Sequence, residues 1–94
     1  MLTSGQRARL RAMANTLEPV LHIGKDGITE NTITQADEAI EARELIKCTV
    51  QKNCDIPVKE VAHALAQKIG ADCVQVIGRR FSLYRPAEEP KITL

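Results

Sequence analysis

The chain has 94 residues, of which 44% are hydrophobic and 27% are charged, and this predicts one domain with a modest core. Thirteen basic and twelve acidic side chains leave a net charge of +1, so overall charge by itself does not indicate a nucleic-acid partner. No segment is apolar and long enough to span a membrane, and the N-terminus lacks the apolar core of a signal peptide, so we expect a cytoplasmic protein.

A capping box and a helical repeat of apolar residues open the chain. Residues 3–6 have the T-x-x-Q form of a capping box, and apolar side chains follow at helical spacing: Leu10, Met13, Ala14 and Leu17. The pattern predicts a first helix over residues 4–17. Arg7 and Arg11 lie four residues apart on one flank, where they either contact a phosphate or cover apolar surface with their stems.

A proline and a short apolar run lead to a glycine-flanked loop. Pro19 disfavours helical geometry in the residue before it and so ends the first helix. Residues 20–23 form a short predicted strand. Gly24 and Gly27 then enclose a GxxG loop, and Thr29 is a suitable N-cap for a second helix directly behind that loop.

The GxxG loop has features typical of a seat for a sugar-phosphate backbone. Its glycines carry no Cβ, so a foreign backbone can come close, and the helix behind them aims unpaired N–H groups at the same place. Lys25 adds a positive charge at the tip, and together these features resemble the GXXG clamp of KH domains. The carboxylate of Asp26, by contrast, is unfavourable beside a phosphate. A plain strand-to-helix turn that needs two glycines explains the same tetrapeptide, so both interpretations stay open.

The second helix is predicted to run to about Arg43, with Ile33, Ala36 and Ile40 on its core face. Four of its acids fall on one stripe: Glu30, Asp37, Glu41 and Glu44. This stripe is either a solvated face or a contact for a basic protein.

The second half of the chain predicts strand, helix and hairpin. Residues 45–51 alternate as a half-buried strand, and an apolar repeat then predicts a third helix over residues 58–69, which Gly70 stops. Residues 72–77 and 81–85 are strand-like and are joined by Gly78, Arg79 and Arg80 as a hairpin. We therefore expect a domain over residues 1–86 and a flexible tail over residues 87–94.

Basic and acidic side chains are segregated along the chain. Residues 1–15 and 74–86 each hold three arginines and no acid, whereas residues 30–44 hold five acids against Arg43. This distribution indicates one basic face. No nucleophile, base and acid recur in a catalytic pattern, so we expect no enzyme. The odd number of cysteines and the absence of a C-x-x-C pair predict free thiols and neither metal nor cofactor.

The predicted order is α-β-α-β-α-β-β, an α/β (α+β) two-layer sandwich with helices packed on a four-stranded mixed sheet. With this order, the chain resembles the bacterial YhbY-type proteins, the stand-alone form of the CRM domain (chloroplast RNA splicing and ribosome maturation). The resemblance extends over about residues 2–86 and is carried by 2–3, 10–11, 17–20, 24–29, 44–47 and 74–86.

The resemblance implies a fold similar to the C-terminal domain of translation initiation factor three. It also implies binding to structured RNA, association with large ribosomal subunit precursors and a part in ribosome assembly. The expected RNA-binding residues lie in the GxxG loop and its helix cap, in the first helix and in the hairpin: Gly24, Lys25, Asp26, Gly27, Thr29, Arg7, Arg11, Arg79 and Arg80. The alternative is a protein-interaction module that holds a basic ribosomal protein with the acidic stripe. We expect no membrane and no small-molecule substrate as partners.

Overall fold

Three helices and four strands make up the fold, in a computed structural model that describes residues 2–94. In chain order they are α1 (Ser4–Ala14), β1 (Leu21–Ile23), α2 (Glu30–Arg43), β2 (Leu45–Val50), α3 (Val58–Ile69), β3 (Asp72–Ile77) and β4 (Arg80–Tyr84). The predicted order of elements is confirmed.

The ends of α1 and α2 follow from their capping residues. Thr3 and Gln6 form the predicted capping box, with each side chain accepting the other residue's backbone N–H at 3.0 and 3.1 Å. Thr29 caps α2 by accepting the N–H of Thr32 at 3.2 Å. The first helix ends at Ala14, earlier than predicted, because the hydroxyl and N–H of Thr16 both donate to the carbonyl of Met13 and close a turn.

The strand order is β1-β2-β4-β3, with β1 parallel to β2 and the other two pairings antiparallel. Because parallel strands run the same way, the chain leaves β1 and β2 at the same end of the sheet. The β3–β4 turn lies at this end too, since Arg80 pairs with Thr49 near the end of β2. We call this the loop end; it comprises residues 24–27, 51–57 and 78–80.

Helices cover both faces of the sheet. α2 and α3 pack on one face, over a core that includes Ile46, Phe81 and Leu83. α1 packs on the opposite face, where Leu10 and Ala14 lie in a second cluster together with Leu45, Val74 and Tyr84. The predicted class, helices on a four-stranded mixed sheet, is confirmed. The two predicted layers correspond to the sheet with α2 and α3, and α1 adds a third layer.

The segment after β4 crosses the end of the sheet opposite the loop end. The buried carboxylate of Glu44 accepts the backbone N–H groups of Ala87, Lys91 and Ile92. Ile92 and Leu94 pack against the cluster beneath α1. Residues 87–94 thus contain neither helix nor strand but have defined contacts, and their flexibility stays a prediction.

Candidate nucleic-acid interface

The GxxG loop is a tight turn at the loop end. The N–H of Gly27 donates to the carbonyl of Gly24 at 3.0 Å, and Gly27 has a φ of 67°, which favours glycine. Lys25 and Asp26 at the tip are both exposed. The turn therefore presents two opposite charges to solvent, directly in front of the first turn of α2.

Of the two glycines in this loop, Gly27 is required by its backbone conformation, whereas Gly24 has only a close side-chain neighbour. A Cβ on Gly27 would lie 3.1 Å from Cδ1 of Ile56, and a Cβ on Gly24 would lie 3.2 Å from Oε1 of Gln51. Gly27 is also buried. The GxxG loop packs closely against residues 51–56, so the local fold explains Gly27 without any ligand. A role in RNA binding rests on Lys25 and on the surroundings of the loop.

Arg79 joins the hairpin to the loop that follows β2. Its Nε donates to the carbonyl of Val50 at 2.9 Å, and its Nη2 donates to the carbonyl of Gln51 at 2.5 Å. The N–H of Gln51 in turn donates to the carbonyl of Ile23, directly before the GxxG loop, at 2.8 Å. The three loops of this end are therefore linked, and Arg79 is partly committed to holding them together.

The loop end collects more cations than the sequence indicated. Lys52 is exposed in the loop after β2, beside the exposed Lys25, Arg79 and Arg80. We did not predict Lys52 as a site residue, although the pairing of two parallel strands could have indicated it. Two exposed acids, Asp26 and Asp55, lie in the same loops, so the loop end keeps a cationic excess.

The two arginines predicted on one flank of α1 differ in their surroundings. Arg7 is half-buried, and its Nη1 donates to the carbonyls of Cys73 and Val74 at 2.5 and 3.5 Å. Its guanidinium thus fastens α1 to β3. Arg11, one turn later, is exposed. Of this pair, Arg11 is the one placed to meet a phosphate.

Thr29 and the acidic stripe also have partners within the chain. The hydroxyl of Thr29 caps α2, so it is already hydrogen-bonded. Asp37 and Glu41 form ion pairs with Arg85 at 2.7 and 3.2 Å. The expectation that Glu44 lies on a solvated or protein-binding stripe is wrong, because α2 ends there and turns the carboxylate inward.

The three cysteines are unpaired, and Cys48 and Cys54 are buried. Burial raises the pKa of the Cys48 thiol to about 12, with the neighbouring Cys73 adding to the rise, so Cys48 stays protonated. Within residues 2–94 no three His, Cys, Asp or Glu side chains are grouped to hold a metal ion. No helix in the same part of the chain is long and apolar enough to cross a membrane.

Comparison with known proteins agrees with the arrangement of these elements. The profile of the CRS1/YhbY (CRM) domain family matches residues 2–85. The chain belongs to the CRM family. The resemblance seen in its motifs is thereby confirmed.

Similar proteins come from several bacteria. The chain is 43% identical over 91 residues to the Probable RNA-binding protein YqeI of Bacillus subtilis, covering 97% of this chain and 95% of that protein. It is 36% identical over 94 residues to an RNA-binding protein of Haemophilus influenzae, covering 99% of this chain and 94% of that protein. The solution structure of the hypothetical protein SAV1595 from Staphylococcus aureus superposes with a TM-score of 0.83 at 43% identity, covering 97% of this chain and 95% of that one.

Proposed function

We propose that this CRM domain binds structured RNA with its loop end. The observation that carries the proposal is the convergence of three loops, which brings Lys25, Lys52 and Arg80 to one end of a protein whose net charge is only +1. Two relatives that are named RNA-binding proteins and match it along nearly their whole length support it. We propose large-subunit ribosomal RNA or its precursor particle as the target, in ribosome assembly in the cytoplasm.

Recognition relies on phosphate and ribose more than on stacked bases. The chain has one Phe, one Tyr and no Trp, and Phe81 and Tyr84 are both buried. Aromatic platforms of the kind that bind successive bases are therefore missing from residues 2–94. The cations at the loop end can instead contact the phosphates of a folded RNA. This is a binding role, and it needs no catalytic chemistry.

The target is tested by titrating the protein with RNA fragments of equal length from the large-subunit RNA, from the small-subunit RNA and from an unrelated folded RNA. Fluorescence anisotropy at fixed salt gives the three affinities. Tighter binding of large-subunit fragments is expected. Equal affinity for all three would leave general RNA binding but contradict the ribosomal target, and no binding to any of them would contradict the proposed function.

The role of the GxxG loop is tested by two exposed substitutions with opposite expected effects. Lys25→Ala removes a cation and should weaken binding by about 1 kcal/mol, the scale of one charge-assisted contact. Asp26→Asn removes a repulsive carboxylate and should strengthen binding by a similar or smaller amount, more so at low salt. The same anisotropy titration measures both.

Matched controls are available far from the loop end. Lys68→Ala in the last turn of α3 and Glu38→Gln on α2 make similar charge changes at exposed positions and should leave the affinity unchanged. If Lys25→Ala and Asp26→Asn are also silent, the loop is only a turn, and the RNA site lies on Arg11 and Arg80. Gly27→Asp does not distinguish an RNA-binding loop from a plain turn. The positive φ of Gly27 and the closeness of an added Cβ to Ile56 predict destabilisation in both cases.

A further inference from the structure

On the α1 side, the sheet is only half covered. α1 covers Leu45, Val74 and Tyr84, near the end where the tail crosses. Toward the loop end, two rows of paired residues lie beyond the helix. One row is formed by Lys47, Ser82 and Gln75, and the other by Thr49, Arg80 and Ile77. These rows belong to no part of the core beneath α1.

A concave site lies on these rows, beside the end of α1. We call it the side cup; it has a volume of about 200 Å³, and its lining includes Asn15, Lys47, Gln75, Ile77, Arg80 and Ser82. A cavity of about 150 Å³ is enough to hold benzene, so the side cup has the scale of one aromatic ring with its substituents. It is too small for a folded protein segment.

The lining of the side cup matches a nucleotide in charge. Lys47 and Arg80 carry positive charges, and none of the lining residues is acidic. Arg80 belongs both to the side cup and to the loop end, so the side cup adjoins the proposed RNA-binding surface. Arg11 lies one helical turn before Asn15, which lines the side cup.

The polar groups of the side cup match the edge of a base. Nε2 of Gln75 donates to Oδ1 of Asn15 at 3.3 Å, which positions the two amides against each other. This single bond leaves further donors and acceptors on both amides. Side-chain amides of this kind pair with N6 and N7 of adenine. Ser82 adds a hydroxyl to the lining.

The side cup also has an apolar wall and a planar cation. Ile77 is 61% exposed, the highest value among the exposed large hydrophobic residues. It pairs with Arg80, whose guanidinium is a planar group of the kind on which unstacked bases lie in RNA complexes. The exposed isoleucine offers apolar contact to a base, and the guanidinium beside it offers a planar group on which the base can stack.

We propose that the side cup binds a single unpaired base, with adenine preferred, that projects from the structured RNA held at the loop end. This inference rests on the proposed function and names the feature of the RNA that the protein selects. A larger apolar groove of about 630 Å³ near Met13 and Val20 lacks the paired amides, so we do not place the base there.

The test uses two RNA hairpins that differ only in one bulged adenine. Anisotropy titration of the whole protein should show about five- to tenfold tighter binding of the bulged hairpin, the lower part of the range for one well-recognised base. Gln75→Ala and Ile77→Ala should each reduce this ratio toward one. Val20→Ala truncates an exposed apolar residue outside the side cup and should leave the ratio unchanged.

The outcomes separate this inference from the proposed function. Lys25→Ala should weaken binding of both hairpins equally and keep their ratio. A wild-type ratio of one, with both hairpins bound, overturns the side cup and leaves RNA binding intact. A ratio that survives both cup variants, with melting temperatures showing that they fold, places the base elsewhere and also overturns it. Failure to bind either hairpin overturns both.

Discussion

Glu44 occupies a backbone position that usually belongs to glycine. It is the C-cap of α2 with φ of 66°, the only positive φ at a non-glycine residue in the described chain 2–94. Such a conformation is strained for a residue with a Cβ. The side chain offsets the strain, because its carboxylate accepts the N–H groups of Ala87, Lys91 and Ile92. The acid thus fastens the tail to the end of α2.

The first prediction at the residue scale separates the effect of the Glu44 backbone conformation on stability from the effect of its carboxylate. Glu44→Gly relieves the positive φ but leaves three tail N–H groups without their acceptor, so it should lower the melting temperature. Glu44→Gln replaces the charged acceptor of these hydrogen bonds by a neutral amide, so it should also lower the melting temperature. Glu38→Gln, the same change at an exposed position of α2, should have little effect. A more stable Glu44→Gly variant would show that backbone strain dominates.

The same contact has a pH dependence. Burial tends to raise the pKa of Glu44, but the three N–H donors and the Lys91 ammonium outweigh it, so the pKa lies below its ordinary value of 4.5. The stabilisation is therefore complete above that value and is lost as the pH falls through the lower pKa of the folded state. Melting temperatures measured downward from pH 5 should fall more steeply in the wild type than in Glu44→Gln.

At the scale of elements, two arginines of α1 that look equivalent in the sequence differ in role: Arg7 bonds to β3, whereas Arg11 is exposed. Arg7→Ala should lower the free energy of unfolding by about 1–2 kcal/mol, because a charged donor to two β3 carbonyls is lost. Arg11→Ala should leave unfolding unchanged and weaken RNA binding. Urea denaturation and anisotropy, run on both variants, check this. If Arg11→Ala lowered the stability and Arg7→Ala lowered only the RNA affinity, these roles of the two arginines would be wrong.

The helices and strands could be predicted from local sequence patterns, whereas the contacts between distant segments could not. The capping box at Thr3 and the alternation along β2 act within a few residues, so the sequence shows them directly. The placement of α1 on the far face of the sheet depends on pairings between distant strands. Glu44 was assigned to a solvated stripe because helical periodicity holds only up to the residue where the helix ends. Asn15 and Gln75 lie 60 positions apart, and no local pattern joins them.

At the scale of the whole molecule, charge is distributed unequally between the two ends of the strands. Lys25, Lys52 and Arg80 lie at the loop end, whereas Glu41 and Glu44 lie at the opposite end, beside the tail. A net charge of +1 therefore conceals a difference in charge between the two ends of the sheet. Such a separation orients the protein as it approaches a polyanion, with the loop end first.

The last prediction follows from this separation. Within residues 2–94, five cations at or near the loop end are free to meet phosphates: Arg11, Lys25, Lys47, Lys52 and Arg80. If all five do so, log affinity should fall with log salt concentration with a slope of about −3.5 to −4.5. Lys52→Ala combined with Arg80→Ala should reduce the slope by about 1.5, and Lys68→Ala should not change it. Since the slope counts displaced counterions and not net charge, a value near zero would contradict the loop end as the RNA-binding surface.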